Sequence, residues 1–191
     1  MVIFAWLLVL FTASISPAVG GKYYSNSHIV VNPATLKKTQ LHFFMHDILS
    51  GKNPSSVPVA KRTGTVLHDG NTIPFGTVYV FDDPLTMGPD PKSKVIGNSR
   101  GMYASTSRGS DLTESGLLMT MNLVFTGGDY NGSTLSLLGR NAVFHPYREM
   151  PIVGGSGVFR MARGIATAKT YEFNLTSGDA IVEYDVMVVH Y

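Results

Sequence analysis

Asp47 lies in the stretch LHFFMHDILSG, residues 41–51, at the end of a row of large apolar side chains. On a strand every second side chain faces one side, so Leu41, Phe43, Met45, Asp47 and Leu49 would share a face. Burial of a carboxyl in such a row disfavours its charged form and raises its pKa, which suits a general acid near neutral pH. The same position also suits a strand cap, or a turn begun with Ser50 and Gly51. The stretch has a helical reading as well. Leu41, Phe44, Met45, Ile48 and Leu49 fit one helical face, on which His42 and His46 would stand one turn apart and could share a metal. On a strand they would be about 13 Å apart and could not. No third ligand at a recognisable spacing accompanies them: His68 falls in a loop and His190 at the C-terminus. No metal is therefore expected.

Arg148, between Pro146 and Pro151, is held in a stiff segment and could bind a phenolate or carboxylate, or pair with Glu149. Tyr79, Phe81, Tyr103, Phe159 and Phe173 could line an aromatic pocket or fill the core. The acidic pair of FDDPLT, Asp82 and Asp83 before Pro84, reads as a structural turn after a strand. GGSG, residues 154–157, has the glycines of a phosphate loop, but such a loop opens a helix; a strand is expected to follow here, so the segment reads as a tight turn. The sequence has no cysteine nucleophile, P-loop, dinucleotide fingerprint or Ser–His–Asp context.

These groups need a scaffold, and the sequence describes one. Gly, Pro, Asn, Asp and Ser clusters break the chain at short intervals, and the runs between them are rich in Val, Ile, Phe, Tyr and Thr, an all-β pattern. Strands are expected near 39–49, 74–82, 93–105, 117–126, 132–139, 141–145, 157–172 and 180–190, with an Asn-Gly hairpin turn in DYNGST. The stretch LLMTMNLVF is apolar on both faces, with Leu118 and Val124 opposite the inward row. With no helix to cover the outer face, a subunit interface is expected there. Residues 50–71 form a long polar loop.

The 191 residues fit one domain. The first twenty are uncharged, apolar and then small, as in a secretory signal peptide, which leaves 21–191 as the mature domain. Two sequons, at Asn131 and Asn174, fit that route. The absence of cysteine leaves packing, sheet hydrogen bonds and oligomerisation to stabilise a secreted chain. A net charge of +2 with no basic stripe gives no nucleic-acid footprint, and the interrupted leader does not make a membrane anchor.

The blocks HFFMHDIL, FGTVYVFDDPLT, GNSRGMYAS, LVFTGGDYNGSTLSLLGRNAVF, REMPIVGGSGVFRMARGIA and GDAIVEYDV, in this order, resemble the plant dirigent proteins. The resemblance implies an eight-stranded antiparallel β-barrel of the dirigent and allene oxide cyclase type, assembled as a homotrimer and secreted to the apoplast. It makes residues 41–51 the first barrel strand. It also implies a pocket that takes a phenolic substrate without a cofactor, with Asp47 and Arg148 as catalytic groups and Tyr103 among the pocket residues. Family members that steer coniferyl alcohol radicals toward a lignan, made radical by a separate oxidase, carry a second aspartate seven residues before the arginine. Here that residue is Asn141, and Ser105 replaces a further tyrosine. These departures resemble the pterocarpan synthase branch, whose members dehydrate a 2′-hydroxyisoflavanol and close a ring. A non-catalytic guide of radical coupling is the alternative.

Overall fold

The computed structural model describes residues 35–61, 73–108 and 114–191. The expected signal peptide over 1–20, His68 and the distal half of the polar loop lie outside them. Nine strands follow in order: β1 (Lys37–Asp47), β2 (Ser56–Ala60), β3 (Val78–Thr86), β4 (Val95–Ser105), β5 (Leu117–Phe125), β6 (Thr134–Asn141), β7 (Arg148–Ser156), β8 (Arg163–Phe173) and β9 (Ala180–His190). Their order across the sheet is β1-β9-β8-β7-β6-β5-β4-β3-β2, and β1 also pairs with β3. That pairing closes an antiparallel ring of eight strands and leaves β2 as a short extra strand on β3. The expected barrel is thus present. Among the described residues no helix is long and apolar enough to cross a membrane.

Period-two alternation builds the core. In β5, Leu117, Met119, Met121, Leu123 and Phe125 are buried inside the barrel. Leu118, on the outer face, is 49% exposed, so the described residues leave it uncovered. Val80, Met102, Thr120 and Leu138 stand side by side in register across β3, β4, β5 and β6, and the three apolar members of this outer row are also exposed. In β1 both faces are buried, from Phe43 to His46. Phe43 and Met45 point into the core, whereas the Phe44 ring is covered by His42 and Tyr171, at centroid distances of 5.2 and 5.5 Å. This double burial is why a strand mimics a helical pattern.

Four sequence expectations are corrected, the first being the unbroken loop over 50–71, within which Ser56–Ala60 form β2. FDDPLT is not a turn: β3 continues through it. The Asp82 N–H points to the edge shared by β1 and β2, where it donates to the Ser55 carbonyl. Pro84, two residues on, faces the same edge, where its missing N–H is tolerated because neither strand pairs with it there. GGSG is mostly strand: Gly154 and Gly155 belong to β7, and the turn begins at Gly157, whose φ of 63° opens a 3-10 turn, Gly157–Phe159. β7 itself replaces the strand expected at 141–145, which ends β6 and then turns. Pro151 is accepted in β7 because Gly139 lies beside it; a Cβ there would come within 2.9 Å of Pro151 Cδ. The Asn-Gly turn does join β5 to β6, with Gly132 at φ 79°.

One barrel end is filled by aromatic rings: Phe159 contacts Phe125, Tyr130 and His190 at 5.7, 4.9 and 5.2 Å. The other end is open.

Candidate active site in the barrel interior

The open end leads into a cavity of about 760 Å³. Apolar groups such as Met45, Leu117, Met119 and Val182 wall it together with polar ones such as Asp47, Asn141, Arg148 and Thr170, the mixed lining of a small-molecule site.

β1 delivers Asp47 to this cavity on the same face as Phe43 and Met45. Its Oδ1 is buried without a hydrogen-bond partner. Burial pushes the Asp47 pKa up to about 6; the charge of Asp179 acts in the same direction, and hydrogen bonds from Ser56 and Tyr103 oppose it. Tyr103, on β4, is buried with its hydroxyl 3.4 Å from Ser56 Oγ. Tyr79 is its cross-strand neighbour and stacks on it, centroids 4.9 Å apart. Burial first, and then the Asp47 carboxylate, raise the pKa of both tyrosines, so both act as neutral hydroxyls.

Arg148 opens β7. It is 4% exposed, and its Nη1 donates to the Val143 carbonyl at 3.1 Å and to Thr170 Oγ1 at 2.6 Å. Its Nε has no partner, and none of the ion pairs among the described residues involves it. Burial lowers its pKa, and the neighbouring Tyr184 acts in the opposite direction. Asn141, at the end of β6, has its Nδ2 3.6 Å from Met119 Sδ and its Oδ1 unpartnered. Ser105 donates to the Ile73 carbonyl at 2.9 Å.

The structure therefore brings Asp47, Tyr79, Tyr103, Asn141, Arg148 and Phe173 to one cavity. It does not bring Phe81 or Phe159 there. Phe81 packs behind Tyr103, at 5.8 Å, and Phe159 lies in the filled end. The two histidines of β1 point to opposite needs: His42 pairs with Glu183 at 2.9 Å outside, and His46 bonds Thr86 Oγ1 at 2.7 Å inside the fold. Asn131 and Asn174 are both exposed.

Two groups escape a reading of the sequence. Tyr184, on β9, is fully buried and lines the cavity, and its hydroxyl has no partner. The alternation of GDAIVEYDV signals that it points inward, but nothing in the spacing places it beside Arg148. Asp83, hidden in the apparent turn, is 1% exposed. Burial, followed by the charge of Asp47, pushes its pKa up to about 8, against a hydrogen bond from Ser55.

A closed antiparallel barrel with an apolar cavity at one end, and an acid and an unpaired arginine within it, defines a small-molecule-binding β-barrel of one chain. A family model described as dirigent-like protein matches residues 38–189. The chain is 49% identical over 170 residues to the Glycyrrhiza echinata protein named pterocarpan synthase 1, across 88% of this chain and 87% of that one. It is 51% identical over 154 residues to dirigent protein 21 of Arabidopsis thaliana, across 81% and 78%. The solved structure of a pterocarpan synthase dirigent protein matches with a TM-score of 0.80 at 49% identity, across 88% of this chain and 99% of that one. The chain belongs to the dirigent family.

Proposed function

We propose that this protein is a pterocarpan synthase-like dehydratase acting on a 2′-hydroxyisoflavanol. The observation that carries the reading is Asp47, a carboxyl whose pKa burial raises to about 6, inside a cavity that also holds an arginine without an acid partner. Similarity to proteins named pterocarpan synthase over most of the chain supports it.

In this reading Asp47 protonates the benzylic hydroxyl, and the C–O bond breaks with loss of water. The electron pair comes from the phenol para to the reacting carbon's ring attachment, giving a quinone methide. Arg148 and Tyr103 orient the phenolic oxygens. The phenol gives up its proton as the methide forms. The 2′-hydroxyl then adds to the methide carbon and passes its proton to the Asp47 carboxylate, while the electron pair returns to the phenolic oxygen, which regains a proton, so the aromatic ring is restored and the new one closed. The net change is loss of one water, so no oxidant is required. The apolar walls keep bulk water from capturing the intermediate. Each step draws on groups of this chain alone, and no cofactor enters it.

We further read the protein as a secreted, apoplastic homotrimer. The sequons at exposed Asn131 and Asn174 support the first part, and the exposed outer row through Val80, Met102 and Leu138 supports the second.

The test is chiral chromatography of two reactions with the purified mature protein. One contains the 2′-hydroxyisoflavanol and no oxidant; the other contains coniferyl alcohol and a one-electron oxidase. Pterocarpan from the first supports the dehydratase. Enantiomeric excess confined to the second establishes a radical guide instead.

A further inference from the structure

The edge of β3 next to Asp47 is shared by two strands, with a break between them. β1 pairs with it at Phe44↔Thr86 and Met45↔Leu85, and β2 from Ser56↔Phe81 onward. Asp83 faces the break, and Ser55 fills it. The Ser55 carbonyl accepts the Asp82 N–H at 2.9 Å, and the Ser55 N–H donates to the Ile48 carbonyl at 2.8 Å. Its Oγ accepts the Ile48 N–H at 3.1 Å and lies 3.4 Å from the His46 carbonyl oxygen. The same Oγ is 2.5 Å from Asp83 Oδ1. One serine side chain thus touches the peptide groups on both sides of Asp47, and one buried carboxyl fixes that serine.

Asp83 Oδ2 is buried with no partner. A carboxyl in this place is costly to desolvate, and a role as strand filler would be met more cheaply by an apolar side chain. What the carboxyl supplies is a hold on Ser55. The charged and titratable groups facing Asp83 are Asp47 from β1, Asp82 on its own strand and Tyr103 and Tyr184 from β4 and β9. None of them is a cation, so among the described residues only the Ser55 hydrogen bond favours a negative charge there. A neutral Asp83 can donate to Ser55 Oγ and leave the serine hydroxyl to donate to the His46 carbonyl.

We propose that Asp83 is a positioning residue for Asp47, acting through Ser55 at the junction of β1 and β2. The proposal rests on the reading of Asp47 as the acid, and its test separates the two.

Asparagine and alanine at position 83 both lack charge, but only asparagine can hold Ser55. The experiment compares Asp83→Asn, Asp83→Ala and Ser55→Ala by carboxyl carbon NMR of aspartate-labelled protein, with the Asp47 signal assigned by its loss in Asp47→Asn. The Asp47 titration midpoint is expected to differ between Asp83→Ala and Asp83→Asn by about half a pH unit or more, and to be displaced in Ser55→Ala. In turnover of the isoflavanol, Asp83→Ala and Ser55→Ala are expected to lose kcat by about 10- to 100-fold with little change in KM, and Asp83→Asn to keep most of it. An unchanged midpoint, or an unchanged kcat, in folded Ser55→Ala overturns the proposal, and that variant decides the matter even if Asp83→Ala does not fold. Displaced midpoints in a protein that turns over no isoflavanol overturn the dehydratase reading and leave the link from Asp83 to Asp47 standing.

Discussion

Arg148 and Tyr184 stand on one rung of the barrel with only Ala168 between them: Arg148 pairs with Ala168 across β7 and β8, and Ala168 with Tyr184 across β8 and β9. The methyl group of Ala168 leaves room over which the guanidinium and the phenol ring project inward. Phe43 completes the rung and stacks on Tyr184 at 5.6 Å. Both Arg148 Nε and the Tyr184 hydroxyl end without partners, so the rung is a pair of donors made ready for a ligand oxygen.

Tyr184→Phe should therefore change stability and binding in opposite directions. Removing a buried hydroxyl that has no partner relieves a desolvation cost of about 1–3 kcal/mol, so the melting temperature should rise. Loss of the donor should raise KM. Thermal unfolding alongside steady-state kinetics checks this; a lower melting temperature together with unchanged KM would show that the hydroxyl has a partner in the fold.

Ala168→Leu should fill the gap between the two donors. Substrate affinity should fall steeply while the ring of eight strands persists. Isothermal titration with a phenolic product, with circular dichroism as the fold control, is the measurement. Retained affinity would place the ligand elsewhere in the cavity.

Asp47→Asn should lose about 10²- to 10⁴-fold in kcat, the span associated with general acids, and remain folded. For the unaltered protein the acid form of Asp47 is depleted as pH rises through about 6, so kcat/KM should decline above that value. A variant of full activity would falsify the assignment of Asp47 as acid.

Asp83 bears on stability as well as position. Its folded pKa is raised from 3.8 to about 8, so between those values the folded chain binds a proton that the unfolded chain releases. The contribution of Asp83 to stability is complete below about pH 4 and declines as pH rises toward 8. Asp83→Asn should flatten that decline. Urea unfolding of both proteins at pH 5 and pH 8 tests it: the gap between the two pH values should be smaller in the variant.

Met102→Glu places a charge in the exposed apolar row of β3 to β6. Light scattering should give the mass of three chains for the natural protein and of one for the variant. A single-chain mass for both would remove the interface.

The pocket positions of Arg148 and Tyr103 come from the family pattern alone, whereas the barrel and the inward face of β1 are legible because alternation and family pattern agree on them. β7 was not, because Pro151 and two glycines imitate a turn; their tolerance depends on Gly139 across the sheet, a tertiary fact. Asp83 was missed for a similar reason. Asp-Asp-Pro carries local turn chemistry, and only the break between β1 and β2 explains how a strand runs through it. Phe159 looks like any other inward aromatic in sequence, and which barrel end it reaches follows from the turn at Gly157.

The ring is closed unevenly. β1 is laced to β9 along its whole length, from Lys37 to Asp47, yet meets β3 through only two register pairs. Local opening has a free energy of its own, and the least-laced joint opens most readily. Amide hydrogens along the β1–β3 joint should exchange with deuterated solvent sooner than those along β1–β9. The cavity is walled by Asp47 of β1 and Tyr79 of β3 together, so an occupant bridges that joint. Deuterium uptake there becomes a measure of occupancy for any candidate ligand, including one that is never turned over.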